Sequence, residues 1–365
     1  MQPRFDWILL VLVALLGGIG LVLLHSINFR DPALAEGFEP SRQVVAFLLG
    51  LGLLLAASRV DYRLWLRLAP VWYAVGVLLL IILLYVGEEV FGATRSIQLG
   101  LFDFQPTEVA KLGLIFILGR LFATQAAQLY KLRYLALSIG LLLGVAIFVA
   151  LQPDIGSVAV LGFVWLLMTM MSKVSKRQLA LVVVIALAIS PMVIAELEPY
   201  QQQRIETFLS PGSDPEGTDY NIEQATIAVG SGQLLGRGLG GGTQSQLNFI
   251  PAQHTDFAYA VLAEKLGLLG AGLVVLLFAG VIWRALLITY RAKDTFGTLL
   301  AGGITGMLFI QVTINIGMNL GLLPVTGLPL PLISYGGTNM VMTLLAIGVL
   351  QSIAMNRKKL QFEQQ

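Results

Sequence analysis

Residues 230–256 read GSGQLLGRGLGGGTQSQLNFIPAQHTD, a polar, glycine-rich stretch that closes on a single carboxylate, Asp256. On both sides of it the chain is made of long apolar runs. A bilayer core offers the backbone no hydrogen-bond partners, so membrane-crossing segments are helical, and an irregular stretch of this length has to face water at the rim of a cavity. This contrast sets the expected fold class: all-α, a polytopic integral membrane protein whose chemistry sits in the polar stretch.

Composition agrees. Of 365 residues, 56% are hydrophobic and only 12% charged, with a mean hydropathy of +0.81, which excludes an ordinary soluble domain. The net charge of +2 is sparse and forms no patch suited to nucleic acid. The absence of cysteine excludes disulfides and thiolate chemistry. The two histidines, His25 and His254, are too few for a histidine-built metal site.

Hydropathy divides the chain into about ten spans, at approximately 5–25, 43–58, 69–87, 106–123, 134–151, 155–172, 178–197, 258–283, 296–320 and 335–354. The first follows a lone Arg4 and lacks a small-residue cleavage site, so it is expected to stay as a span. Basic residues cluster in alternate connections: Arg4; Arg59, Arg63 and Arg67; Arg120, Lys131 and Arg133; Lys173, Lys176 and Arg177; Arg284, Arg291 and Lys293; Arg357, Lys358 and Lys359. By the positive-inside rule both termini are expected in the cytoplasm, and the even number of spans follows independently of hydropathy. The opposite, extracytoplasmic face then holds the longer connections, including a large loop at 198–257 within a single membrane domain, 1–365. A loop of that length in a compact protein is usually functional, and its apolar patches predict short helices, with 220–229 the best candidate. No internal repeat is visible.

Four constellations carry polar chemistry. Phe104-Gln-Pro-Thr-Glu108-Val-Ala-Lys111 opens the fourth span, with proline suited to a first helical turn and Glu108 and Lys111 on one face. An interfacial ion pair with a snorkelling lysine accounts for it as well as a functional pair facing the bundle interior does. Asp154, in Gln152-Pro-Asp-Ile-Gly-Ser157, reads first as the N-cap of the sixth span. The run 321–338, with three prolines and repeated glycines, forbids a continuous helix and predicts a broken or re-entrant segment lining a cavity. In the opening stretch, Gly236-Arg237-Gly-Leu-Gly-Gly241 mimics a dinucleotide fingerprint, but no strand precedes it. Its amides could instead form an anion nest beside Arg237, or a loop without ligand.

Taken together, FQPTEVAKL (104–112), QPDIGS (152–157), GTQSQLNFIPAQHTDFAYAVLAEKLGLLG (242–270) and NLGLLPVTGLPLPLISYGG (319–337) resemble the shape, elongation, division and sporulation (SEDS) family over essentially the whole chain. The wording GTQSQLNF and QHTDF is closer to its rod-elongation branch than to its division branch. The resemblance implies a peptidoglycan glycosyltransferase of the bacterial inner membrane. Such an enzyme joins lipid II units by inverting attack of a GlcNAc 4-hydroxyl on a MurNAc carried by undecaprenyl diphosphate. That chemistry requires a base and a cationic environment for the leaving diphosphate. The family's essential aspartate matches Asp256, which a plain helix N-cap would otherwise explain. Arg95, Lys111 and Arg237 are candidates for diphosphate contacts, in that order, and Glu108, Asp154, Gln244, His254 and Ser334 complete the expected substrate-binding set. A divalent cation such as Mg or Mn, held by Asp256 and Glu108, would serve the leaving group. A class B penicillin-binding protein is the implied partner, alongside lipid II and membrane lipids. Two other readings fit the same cavity: a transporter of the lipid-linked precursor, which needs no base, and a non-catalytic scaffold.

Overall fold

The structure, a computed structural model, describes residues 5–28, 39–87, 96–98, 103–195, 197–210, 218–250 and 252–356. Ten long helices correspond to the ten apolar runs: α1 (Trp7–Asn28), α2 (Pro40–Arg59), α3 (Arg63–Val86), α4 (Pro106–Thr124), α5 (Leu132–Ala150), α6 (Ile155–Met171), α7 (Lys176–Ala195), α11 (Ala258–Tyr290), α12 (Thr295–Asn319) and α13 (Gly337–Met355). Three shorter helices, α8 (Pro199–Leu209), α9 (Thr218–Ser231) and α10 (Thr243–Gln246), lie in the long connection, where α9 covers the expected 220–229. A two-residue ribbon pairs β1 (Ile97–Gln98) with β2 (Asp103–Phe104) just before α4. Among the described residues, seven helices are long and apolar enough to cross a bilayer. The chain is a multi-pass membrane protein.

The bundle has a buried centre and a lipid-length rim. Helices α4, α12 and α13 bury most of their residues, whereas α7 leaves most of its face exposed. Helix α2 packs along α13 and α3 along α4. Small residues permit this closeness: a Cβ added at Gly348 would lie 2.6 Å from Leu54 O, and one at Gly76 2.9 Å from Ala110 Cα. Where lipid is as apolar as the helix surface, such close van der Waals packing is what drives association.

Two features depart from a simple row of spans, and both build the site. The eighth span is not continuous: Gly267 adopts φ 66 and ψ −171, which breaks α11 into 258–266 and 268–290. The first piece is buried inside the protein from Ala258 to Lys265, while Leu268 and Leu269 are exposed. Only the second piece, about 35 Å long, is left to cross the bilayer. The expected single span 258–283 is corrected accordingly. The second feature is the segment 321–336, which contains no helix and whose residues from Leu330 to Ser334 are buried. A Cβ at Gly20 of α1 would meet Ile333 Cα and Leu332 O at 2.7 Å each. Gly20 lies eight residues, about 12 Å, inside the end of α1, so the segment dips into the bundle.

Candidate functional site

Asp256 sits in the turn 252–257 that leads into the buried half of α11. It is not the helix cap: Phe257 holds that position, with no side-chain capping bond. The main-chain carbonyl of Asp256 instead accepts from Asn315 Nδ2 and Asn319 Nδ2 of α12, each at 3.0 Å. Asn319 Oδ1 in turn accepts from Ala260 N at 3.0 Å, which satisfies a first-turn donor of α11 from a neighbouring helix.

The dipping segment is sewn onto this turn. Tyr335 N donates to His254 O at 2.8 Å, and Ser334 Oγ donates to Thr255 O at 2.5 Å while accepting from Leu330 N at 2.9 Å. The rings of His254 and Tyr335 meet edge to face, 5.9 Å between centroids. Burial lowers the pKa of His254, favouring the neutral imidazole, and raises that of Tyr335. From α2, Gln43 grips the segment at two points, donating to Ser334 O and accepting from Gly336 N, both at 3.1 Å.

One turn further, α13 reaches the start of α4. Thr338 Oγ1 donates to Asp103 O at 2.9 Å and accepts from Gln105 N at 3.1 Å. Asn339 Nδ2 donates to Glu108 Oε1 at 3.1 Å, and Lys111 Nζ meets the same oxygen at 2.7 Å. Glu108 and Lys111 are 3% and 2% exposed, so the lysine does not snorkel and the pair belongs to the interior. A continuous path of hydrogen bonds and adjacent residues therefore joins Asp256, His254, Ser334, Glu108 and Lys111.

The other candidates lie elsewhere. Asp154 is buried and caps α6, accepting from Ser157 N at 3.1 Å, as its turn predicted. Arg237 is on the glycine-rich rim, where its Nε donates to Ser231 O at 2.8 Å. Gln244 N donates to Glu264 Oε1 at 2.9 Å, and its own buried Oε1 has no protein partner. Arg95 lies outside the described residues. A small pocket of about 50 Å³, lined by Gln201, Arg204, Val325 and Thr326 among others, is bordered by Pro153 and Ile155 on either side of Asp154 and by none of the other candidate residues.

Sequence reasoning passed over Gln43, Glu264, Asn315, Asn319 and Asn339. Glu264 is wholly buried; its carboxylate accepts from Gln244 N and Ser245 N and holds α10 against α11. The signal was present, since a carboxylate or carboxamide inside an apolar run is costly unless it has a partner.

A bundle of membrane-length apolar helices that encloses a buried polar cluster, built where a broken helix and an irregular inward segment meet, defines a polytopic membrane protein with a polar site inside the bundle. The chain belongs to the FtsW/RodA/SpoVE family, described as cell cycle proteins, whose profile matches residues 6–359. Among its relatives, peptidoglycan glycosyltransferase MrdB of Escherichia coli (strain K12) is 37% identical over 353 residues, covering 96% of this chain and 94% of that protein. The probable peptidoglycan glycosyltransferase FtsW of Geobacter metallireducens is 33% identical, covering 97% and 96%. The crystal structure of the rod shape determining protein RodA of Thermus thermophilus superposes with a TM-score of 0.71 at 31% identity, covering 98% of each chain. A chain from a peptidoglycan synthase complex, studied for its structural coordination of polymerization and crosslinking, superposes with a TM-score of 0.80 at 32% identity, covering 98% and 99%.

Proposed function

We propose that this chain is a peptidoglycan glycosyltransferase that polymerises lipid II, with Asp256 as its base. In the step envisaged, the 4-hydroxyl oxygen of an acceptor GlcNAc forms the bond to C1 of a donor MurNAc as the bond from C1 to the undecaprenyl diphosphate oxygen breaks. The hydroxyl proton goes to the Asp256 carboxylate and the electron pair leaves with the diphosphate. A single inverting displacement of this kind needs one positioned base and cationic stabilisation of the leaving group, not a covalent enzyme intermediate. Lys111 supplies the buried cation, with Glu108 and Asn339 fixing the place of its nitrogen. Arg237 and Arg95 are further diphosphate contacts, and His254 and Gln244 line the acceptor's approach.

The observation that carries this reading is the anchoring of Asp256 to α12 beside a segment that leads, within one turn of α13, to the buried Glu108–Lys111 pair. The relatives named peptidoglycan glycosyltransferases support the reaction class. The likeness to a chain of a complex that couples polymerization with crosslinking supports a crosslinking partner of the class B penicillin-binding type. Charge asymmetry between alternate connections supports cytoplasmic termini and a site on the extracytoplasmic face of the inner membrane.

A protein-held divalent cation fits the donor set poorly. Glu108 Oε1 is committed to Lys111 and Asn339, and among the described residues no three His, Asp or Glu side chains converge as metal ligands. That leaves Asp256, and a single carboxylate holds Mg or Mn only in company with the substrate's own phosphates.

The test is polymer formation from lipid II supplied in detergent micelles, where translocation has no meaning. The purified chain is expected to build glycan strands and its Asp256→Asn variant none. Equal product from both would remove the base; no product from either would favour the transporter or scaffold.

A further inference from the structure

Helix α12 places two carboxamides, Asn315 and Asn319, four residues apart on one face, and both are 0% exposed. One bond from each meets at the carbonyl of Asp256. Asn315 Nδ2 donates to Asp256 O at 3.0 Å and to Leu328 O at 2.7 Å. Asn319 Nδ2 donates to Asp256 O at 3.0 Å and to Asn315 O at 2.8 Å, while its Oδ1 accepts from Ala260 N. A carbonyl oxygen has two lone pairs, and at Asp256 each can meet an amide from the same rigid helix.

We infer that Asn315 and Asn319 are positioning residues of the glycosyl transfer, an amide clamp that fixes the main chain of Asp256 and ties it to the dipping segment through Leu328. This inference rests on Asp256 being the base. Two features give the clamp its purpose. A short polar residue just ahead of a helix ordinarily turns back to cap it. Here Asn319 Oδ1 takes the Ala260 donor, so one first-turn amide of α11 is satisfied from α12, the helix that also holds the Asp256 carbonyl. The turn is held from within by the amides of Thr255, Asp256 and Phe257, which all donate to Ala252 O, with Ala252 at φ 48, and the two carboxamides add an anchor from α12 on its far side. Because Asn315 also binds Leu328 O, a displacement of the segment 321–336 is transmitted to the carbonyl of Asp256 through one side chain.

The test uses the full-length chain and lipid II, with kcat, KM, the pH profile of kcat and the thermal midpoint measured together. Asn315→Ala and Asn319→Ala remove the donors. Each is expected to lower kcat per folded molecule about tenfold or more with KM within about twofold, since misplacing a reacting group by about 1 Å costs up to about a hundredfold. The acidic limb of the kcat profile is expected to move as the surroundings of the carboxylate change. Asn319→Asp keeps an acceptor for Ala260 N and loses both donors; it is expected to resemble the alanine variant. Should Asn319→Ala not fold, Asn315→Ala, which retains the bond to Ala260, decides the matter. Wild-type kcat and pH profile in the folded variants, whatever their thermal midpoint, would reduce the amides to structural supports. Asp256→Asn measured alongside separates the two claims. If it polymerises normally the base assignment fails, whereas an inactive Asp256→Asn with fully active asparagine variants overturns the clamp alone.

Discussion

Replacing Lys111 by methionine keeps an unbranched chain one atom shorter and removes the charge, leaving Glu108 as a carboxylate 3% exposed in the bundle interior. In the wild type that carboxylate is held by Lys111 Nζ at 2.7 Å and Asn339 Nδ2 at 3.1 Å. Breaking a buried ion pair by removing one partner destabilises by about 3–5 kcal/mol, because the remaining charge stays desolvated and unpaired. The Asn339 donor survives in the variant and offsets part of this, which places Lys111→Met near the lower bound, at about 3 kcal/mol. Glu108→Gln leaves the Lys111 ammonium, 2% exposed, with only a neutral acceptor, and should likewise cost about 3 kcal/mol. Removing both charges together is expected to restore much of the stability, as double replacement of buried pairs commonly does. The assay is reversible unfolding in detergent for the wild type, both single variants and the double variant, paired with polymer formation from lipid II. The expected order of stability is wild type, then the double variant, then the two single variants, with polymer absent wherever Lys111 is missing. A double variant that polymerises at the wild-type rate would make the pair a strut and refute its role toward the diphosphate. A Lys111→Met protein as stable as the wild type would refute the burial argument itself.

Three further outcomes follow from the same geometry. The burial that lowers the His254 pKa favours the neutral ring in the folded state, so its contribution to stability is full above the unfolded value of about 6.5 and is lost as pH falls below it. Thermal midpoints measured from pH 7.5 to 5.5 should fall on acidification less steeply in His254→Asn than in the wild type; parallel curves would exclude the imidazole as the source. Gly267→Ala forces a side chain onto φ 66 and brings its Cβ to 2.6 Å from Leu234 O, so a loss of about 1–3 kcal/mol is expected in the same unfolding assay, and an unchanged midpoint would mean the break in α11 is not required. Gln43→Leu removes both bonds to the segment 334–336 and should raise amide exchange at Gly336 and Tyr335 without altering the exchange of α13; unchanged protection there would show that Gln43 does not hold the segment.

The helical bundle was legible because a bilayer imposes long apolar runs, and the ten runs coincide with ten helices to within a few residues at most ends. The irregular nature of 321–336 was legible from its prolines, and the capping role of Asp154 from its place ahead of an apolar run. The break at Gly267 was hidden by its surroundings, since a lone glycine in an apolar pattern is tolerated within a helix and hydropathy does not separate surface that meets lipid from surface that meets protein. For the same reason hydropathy alone makes 258–266 look like the start of a span. The adjacent Glu264 and Lys265 argue against that reading, because both are buried and each finds its partner on another element: Glu264 on the backbone of Gln244 and Ser245, Lys265 on Ser26 Oγ. Asn315 and Asn319 stood in plain view inside the ninth run, but only coordinates could show that both converge on the carbonyl of Asp256. Long-range pairings of this kind, like that of Gln43 with Ser334, leave no periodicity in the sequence.

The central claim is that the Asp256 carboxylate takes the proton of the attacking sugar, and a structure of the full chain with lipid II trapped in the Asp256→Asn variant addresses it most directly. The account predicts the 4-hydroxyl oxygen of the acceptor GlcNAc within hydrogen-bond reach of the side chain at position 256, about 2.6–3.2 Å, with the donor diphosphate toward Lys111. An acceptor hydroxyl seated away from residue 256 with no intervening water, and a different side chain in reach of its proton, would contradict it.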